Sequence, residues 1–324
     1  VTKKTAIIGA GIAGLSCARA LRRAGISVEV FEQERTIGGR IATTRLGSEM
    51  FDHGAQYVCA RSPAFRDYLR ETSERGYAGL WTPRTRPNGS PGDEAHPWLV
   101  GMPGMSSLVR PLAEHVRVTT GRRVHALERG PRGWHLWFDD ETSAGPFEAV
   151  AAAVPPAQAH ALFGRIEELI APLSRARLAP CWALMVRIEQ RILPDQDVFS
   201  GLSETIRWIA RNNTKPGRNS DGEDLVIQAA PGWSRTAEDC DPEAVAEELW
   251  SEVSHALGLP PVRPSHMTAH LWRYGLVEQA VGEACLYSRE HKAGIAGDWC
   301  SGHLAEHAFE SGAALGRAIR DSLT

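Results

Sequence analysis

Thr5 to Arg40 is the stretch that most limits what this chain can fold into. Ala6, Ile7 and Ile8 form a short apolar run feeding Gly9-Ala-Gly11-Ile-Ala-Gly14. A helical run follows to Ala24, and then Val28-Glu-Val-Phe-Glu32, an apolar strand ending in an acid. Gly9 permits a tight turn, Gly11 lets the backbone approach a pyrophosphate with no Cβ in the way, and Gly14 lets the helix pack closely on the strand. The helix is expected from Gly14 to Ala24, with Ile12 and Ala13 just before it, and its start offers free N–H groups and the positive end of its dipole to the phosphates. Leu15, Ala18 and Leu21 share the face that lies on the sheet, and Gly25 stops the helix. Glu32, followed by Gln33, sits where an acid accepts hydrogen bonds from a ribose diol, which disfavours a 2′-phosphate there. The pattern predicts a βαβ unit that holds a dinucleotide. A glycine-rich turn in an ordinary α/β protein would leave Glu32 unexplained.

Gly38-Gly39-Arg40 follows the acid. A second glycine pair lets the chain pass close to the same pyrophosphate, and Arg40 adds positive charge. This arrangement resembles the FAD-binding amine oxidase and glutathione-reductase-like superfamily, and it favours FAD over NAD.

The chain has 324 residues, enough for two domains that share one cofactor. A hydrophobic content of 43% with 23% charged residues marks a globular protein. The net charge of −3 gives no nucleic-acid footprint. Cys17, Cys59, Cys181, Cys240, Cys285 and Cys300 include no Cys-x-x-Cys pair, which argues against a zinc site, a redox dithiol or a secreted disulfide framework. No signal peptide is read before the first strand and no apolar run reaches membrane-spanning length, so no membrane contact and a cytoplasmic location are expected.

Met50 to Tyr57 predicts a small strand or turn leading into Gly54-Ala55, with Gln56 and Tyr57 facing an active site. Ser62 to Glu74 predicts a helix with Pro63 in its first turn. Residues 83 to 97 read as a loop, Pro97 to Gly104 as a return crossing, and Met105 to His115 as a helix. Val116 to Asp139 alternates as strands, and Phe147 to Val154 reads as an apolar strand. Helical stretches (Gln158 to Ile170, Pro242 to Leu257) then alternate with strand-like runs (Cys181 to Ile188, Ile206 to Ala210, Leu225 to Ala230), separated by polar loops such as Asn212 to Asp224. Leu286 to Ile295 leads into Gly297-Asp298-Trp299-Cys300 and a helix from Glu306 to Ser322. Asp298 is placed to bond a ribityl chain, and the helix start, with His307, to face a flavin ring. His303-Leu-Ala-Glu-His307 matches a zinc-peptidase spacing, but it falls where the flavin is expected, and no metal site is read there. No second Gly-x-Gly-x-x-Gly occurs, so a substrate must reach the flavin directly.

Over its whole length the chain resembles the bacterial renalase-like flavoproteins. The residues carrying this are Gly9 to Gly14, Glu32, Gly38-Gly39-Arg40, Gly54-Ala55-Gln56-Tyr57, Trp98-Leu-Val-Gly101 with Pro103-Gly104-Met105-Ser106, Trp208-Ile-Ala-Arg211-Asn212, Lys215-Pro216, Trp233-Ser234, Trp272 with Tyr274, and Gly297-Asp298-Trp299-Cys300. The resemblance implies an α/β fold: a Rossmann-like FAD-binding domain of p-hydroxybenzoate hydroxylase/amine oxidase type with an α+β substrate domain. The FAD-binding domain is expected over 1–60, 101–157 and 286–324, and the substrate domain over 61–100 and 158–285. FAD is expected to be noncovalent and held by Gly9, Gly11, Ile12, Ala13, Gly14, Glu32, Gln33, Gly39, Arg40, Gly54, Ala55, Gln56, the Val124 backbone beside the adenine, Asp298 and His307.

The implied reaction is oxidation of misreduced nicotinamide isomers, 2-dihydro- or 6-dihydro-NAD(P), with electrons passed to O2 to give H2O2. Gln56, Tyr57, Trp208, Arg211, Asn212, Trp272 and Tyr274 are expected around the substrate, with Arg211 or Asn212 binding a carboxamide or phosphate. Hydride transfer needs no strong acid or base here, because the product gains aromaticity. Proximity, stacking and a dry pocket suffice. After Tyr274 the chain reads Gly275-Leu-Val-Glu278 and departs from the family pattern near the substrate. A flavin amine oxidase or desaturase is the alternative chemistry. A protein-binding, non-enzymatic member of the fold, like the GDP-dissociation inhibitors, would leave Glu32, Gly38-Gly39 and Asp298 unexplained.

Overall fold

In a computed structural model the chain folds into two compact units, Val1–Gly39 with Val109–Leu178 and Val277–Thr324, and Arg40–Leu108 with Ala179–Leu276. The structure describes residues 3–47, 49–85, 96–218 and 221–324, so most of the loop expected over 83 to 97 and part of that over Asn212 to Asp224 lie outside the described residues.

Unit one is built on a six-stranded sheet in the order Leu286–Ser288, Ala293–Ile295, Ala149–Ala152, Lys4–Ile8, Ser27–Phe31, Arg117–Thr119. Its strands are parallel except for the edge pair Leu286–Ser288 and Ala293–Ile295. Thr5, Ala6, Ile7 and Ile8 of the strand Lys4–Ile8 are all buried and it sits near the centre, which suits a strand buried on both faces. A three-stranded antiparallel sheet (Val124–Gly130, Gly133–Phe138, Ser143–Phe147) adds Leu136, Phe138 and Phe147 to the core that contains Ile8 and Phe31. The expected strand from Phe147 to Val154 is two strands: Phe147 pairs with Trp134 in the small sheet, and Ala149 starts the pairing with Thr5.

The C-terminal helix Ala305–Leu323 lies along the first helix Ile12–Arg23, and glycines set how closely. A Cβ on Gly312 would stand 1.9 Å from Ala13 O, and one on Gly316 would stand 2.7 Å from Ala20 Cβ. Ser16 Oγ donates to Phe309 O at 2.7 Å and fixes the register.

Unit two carries a five-stranded sheet in the order Val198–Ser200, Ile206–Arg211, Glu223–Ala229, Arg177–Ile188, His266–Gln279. One face is covered by the helix Pro242–Leu257, whose Val245, Leu249 and Val253 pack with Leu184, Ile209, Leu225 and Ile227. Asp241 caps this helix by accepting from Glu243 N and Ala244 N, and Gly258 ends it at φ 59°. The helix Pro63–Glu74 is capped by Ser62. The expected helix from Met105 to His115 divides into a 3-10 turn, Met105–Val109, and a short helix, Arg110–Ala113, because Pro111 has no N–H to continue the ladder. The long strand His266–Gln279 was not anticipated.

The units differ in extent from the expected domains. Residues 158–178 fall in unit one, where Ala159, Phe163, Leu169 and Leu173 pack into its core. Residues 40–60 fall in unit two, where Phe51 packs against Met185 and Val226. Among the described residues, no helix is long and apolar enough to cross a membrane.

Gly312→Ala therefore reverses the usual preference. Alanine in an open helix gains about 1 kcal/mol over glycine, whereas here overpacking costs about 1–3 kcal/mol. Thermal unfolding of Gly312→Ala is expected several degrees below wild type. Gly232→Ala, whose Cβ meets nothing within 4 Å, should stay close to wild type; equal melting of the two variants would refute this account of the helix packing.

Candidate active site

The cradle in unit one follows the sequence closely. Gly9 adopts φ 98°, and a Cβ there would lie 2.6 Å from Ala153 O. A Cβ on Gly14 would lie 2.0 Å from Gly9 O. Packing thus demands both residues. Gly11 is different: its φ is −77°, and its nearest neighbour to an added Cβ is Gly38 O at 3.9 Å. The fold alone would accept alanine at 11, so packing does not account for the glycine there. Gly38 N donates to Ala10 O at 3.0 Å, which brings the second glycine pair beside the first turn, and Gly39 is at φ 56°. Leu15 N closes the first helical turn on Gly11 O, and no side chain caps the N–H groups before it.

Glu32 is buried, with Oε2 accepting from Ala10 N at 2.7 Å and Oε1 from Glu34 N at 3.0 Å. Burial raises its pKa, and the backbone N–H groups oppose the rise. Gln33 is exposed and borders a surface depression of about 600 Å³ that also touches Glu34, Arg122 and Phe138. Val124 is buried at the start of its strand. Asp298 is buried and accepts from Trp299 N at 2.9 Å. His307 Nδ1 accepts from Leu304 N at 3.1 Å and so caps the C-terminal helix. Arg40, Gly54, Ala55 and Gln56 belong to unit two.

In unit two the segment Asp52 to Tyr57 lies against the sheet face opposite the covering helix. Gln228 Nε2 donates to Gly54 O at 2.7 Å, Trp272 Nε1 to His53 O at 2.9 Å, and Ala55 N to Arg40 O at 2.9 Å. A Cβ on Gly54 would stand 2.0 Å from Arg40 O. Arg40 Nη1 reaches Tyr274 O at 3.5 Å.

Asp52 ties this segment down. Its side chain is wholly buried; Oδ1 accepts from Thr43 Oγ1 and Met105 N, and Oδ2 from Lys215 Nζ at 3.1 Å and Arg218 Nη2 at 2.5 Å. Burial pushes the carboxyl up, but the two cations outweigh it and hold the pKa below the usual range. Burial lowers Lys215 to about 8 against the pull of Asp52. Lys215 Nζ also donates to Gln56 Oε1 at 3.2 Å and sits 5.3 Å from the centre of the Trp81 ring.

Three expected substrate residues have other duties. Arg211 is buried and donates to Asp197 Oδ1 at 2.9 Å, Glu223 Oε1 at 2.8 Å, and the carbonyls of Leu193 and Pro194. Asn212 donates to Met50 O at 2.6 Å and accepts from Asp52 N. Gln56 donates to Asp52 O and Gly54 O. Each makes its hydrogen bonds to the fold, although Arg211 Nε has no partner among the described residues.

Of the expected aromatic residues, Tyr57 and Trp208 come together. Tyr57 stacks on Trp98 with ring centres 3.8 Å apart and planes 9° apart, and Trp208 tilts against both at 5.9 and 5.8 Å. Trp208 Nε1 is buried with no partner among the described residues. Trp272 forms a second group, stacked on His53 at 5.1 Å with His270 edge-on to both. His53, which sequence reasoning passed over, is buried, and its Nδ1 has no partner among the described residues. Burial, reinforced by His270, lowers it to about 4.

Two family descriptions match the chain: an NAD(P)-binding Rossmann-like domain over residues 7–72 and the flavin containing amine oxidoreductases over residues 74–318. The chain belongs to the flavin-containing amine oxidoreductase family. It is accordingly a flavin-dependent oxidoreductase. A candidate protoporphyrinogen oxidase from Exiguobacterium sp. 255-15 shares the fold with a TM-score of 0.79 at 14% identity, covering 99% of each chain. The cyclohexylamine oxidase of Brevibacterium oxydans IH-35A does so with a TM-score of 0.71 at 15% identity, covering 100% of each. Protoporphyrinogen oxidase 2 of Arabidopsis thaliana is 33% identical over 73 residues, 22% of this chain and 14% of that enzyme.

Two measurements test the site's chemistry. Gly11→Ala should fold with wild-type circular dichroism and lose flavin at least tenfold, whereas Gly14→Ala should lose stability outright. Normal flavin content in Gly11→Ala would remove the reason for glycine at 11. For His53, the folded state holds the neutral ring while the unfolded chain binds a proton below 6.5. Its contribution, on the order of 3 kcal/mol, is thus complete above pH 6.5 and is lost as pH falls toward about 4. Urea unfolding of His53→Gln should show a shallower loss of stability between pH 7 and pH 4 than wild type; parallel pH profiles would argue against it.

Proposed function

We propose that this flavoenzyme is an oxidase of misreduced dihydronicotinamides, 2-dihydro- or 6-dihydro-NAD(P), with FAD bound noncovalently. The observation carrying the cofactor half is Gly11, a glycine that packing does not require at the turn where a pyrophosphate would approach the backbone. The substrate half rests on the stacked Tyr57, Trp98 and Trp208 in unit two, surfaces suited to a flat ring, and on the resemblance of the motifs around them.

Bound FAD would supply the hydride acceptor, and its reoxidation by O2 would take up one proton from solvent, so that dihydro-NAD(P), O2 and H+ give NAD(P)+ and H2O2. The chain's own residues bind and orient. Glu32 and the glycine turns hold the adenosine and pyrophosphate end, and Asp298 the ribityl chain. Tyr57, Trp208, Trp272 and Tyr274 present the reductant and keep water away. Arg211, Asn212 and Gln56 act one step back, by fixing the strands and the Gly54 turn. No side chain needs to take up a proton, because loss of hydride aromatises the pyridine ring.

Anaerobic stopped-flow mixing of the purified protein with 2-dihydro-NAD, 6-dihydro-NAD, ordinary NADH and a panel of amines tests the reading. Rapid bleaching of the flavin band by a dihydro isomer, with slow bleaching by NADH, is expected. Bleaching by amines alone would overturn it in favour of an amine oxidase.

A further inference from the structure

The strand Ile206–Arg211 carries one residue more than its neighbour needs. Ile206 pairs with Ala229, yet Trp208 pairs with Gln228 and Ile209 with Ile227, so the extra residue falls at Arg207. Without this bulge Ile206 and Trp208 would share a face. With it, Ile206 and Ile209 both enter the core beneath the helix Pro242–Leu257, while Arg207 and Trp208 both turn to the opposite face. The side-chain contacts agree. Arg207 Nη1 donates to Gln228 Oε1 at 3.3 Å, and Gln228 Nε2 in turn donates to Gly54 O at 2.7 Å.

Arg207 is exposed, and among the described residues its guanidinium has this one neutral acceptor and no carboxylate. Its charge is felt by Tyr57, where burial raises the phenol pKa and Arg207 opposes the rise. Arg211, four residues along, has its guanidinium consumed by two buried carboxylates. Asp52, joined to the Gly54 turn through Gln56, has both oxygens occupied and is outnumbered by Lys215 and Arg218. The aromatic group, in which Trp208 is tilted 41° to Tyr57 and 47° to Trp98, therefore carries a cation at its edge, which suits an anionic aromatic ligand better than an alkylammonium ion.

We propose that Arg207 is the anion anchor of this aromatic group, taking a carboxylate or phosphate oxygen of a planar substrate laid against its neighbour Trp208. The proposal rests on the reading that unit two receives the reductant. A guanidinium held by one amide oxygen keeps most of its donors for a ligand in a fixed orientation. The bulge is the device that brings it to the aromatic face.

Binding to the flavin-loaded protein, followed by tryptophan fluorescence or calorimetry, tests the proposal with two probe pairs. Nicotinate against nicotinamide differs by a carboxylate, and nicotinamide mononucleotide against nicotinamide riboside differs by a phosphate. Wild type should bind the acidic member of at least one pair about tenfold more tightly or better, with the preference shrinking as salt rises. Which pair shows it distinguishes carboxylate from phosphate. Arg207→Ala should erase the preference and leave the neutral probes and the flavin spectrum unchanged, and Arg207→Lys should restore part of it. A wild type without preference, or an unchanged preference in Arg207→Ala, overturns the proposal. If the acidic preference and its loss hold while no dihydronicotinamide bleaches the flavin, the anchor stands and the nicotinamide reading fails.

Discussion

Unit two hangs on the Asp52 carboxylate. Removing that group from water is costly, and the structure offsets the cost with four donors drawn from three parts of the chain: Thr43, Met105, and the nearby pair Lys215 and Arg218. Its own backbone adds Asn212 and Gln56 to the set. The hairpin Thr44–Leu46 and Glu49–Phe51, the turn at Gly54, the start of the 3-10 turn at Met105 and the loop after Arg211 are thereby bound to one point. Because a partly satisfied network of this kind is worse than none, its parts form together or not at all.

Unit one solves a different problem, that of bringing backbone close to backbone. Gly9, Gly14, Gly312 and Gly316 each stand where a Cβ would overlap a neighbouring atom. Gly11 stands where it would not. That contrast separates glycines that packing requires from one that it does not, although all belong to similar-looking motifs.

Local signals were the legible ones. The fingerprint from Gly9 to Glu32, the capped helices Pro63–Glu74 and Pro242–Leu257, and the Rossmann-like architecture follow from spacing and turn chemistry over short spans. What could not be read were pairings across the chain. Trp208-Ile-Ala-Arg211-Asn212 looks like an exposed functional motif, but Asp197 and Glu223, which claim Arg211, are not adjacent to it in sequence. A bulge leaves no local mark either, so Arg207 and Arg211 could not be told apart by composition. His53 was hidden because its environment is made by Trp272 and His270, on a strand more than two hundred residues later.

The close packing of Ala305–Leu323 on Ile12–Arg23 joins segments far apart in the chain: Ser16 and Phe309, which bond across it, are separated by 293 positions. The central sheet is assembled in the same way, with Ala149–Ala152 lying between Lys4–Ile8 and Ala293–Ile295. The glycine-rich turn is therefore local as a sequence pattern but not as a structure. The entropy of closing these long loops must be met before any of its contacts is rewarded, which makes unit one a high-contact-order, slowly assembling body.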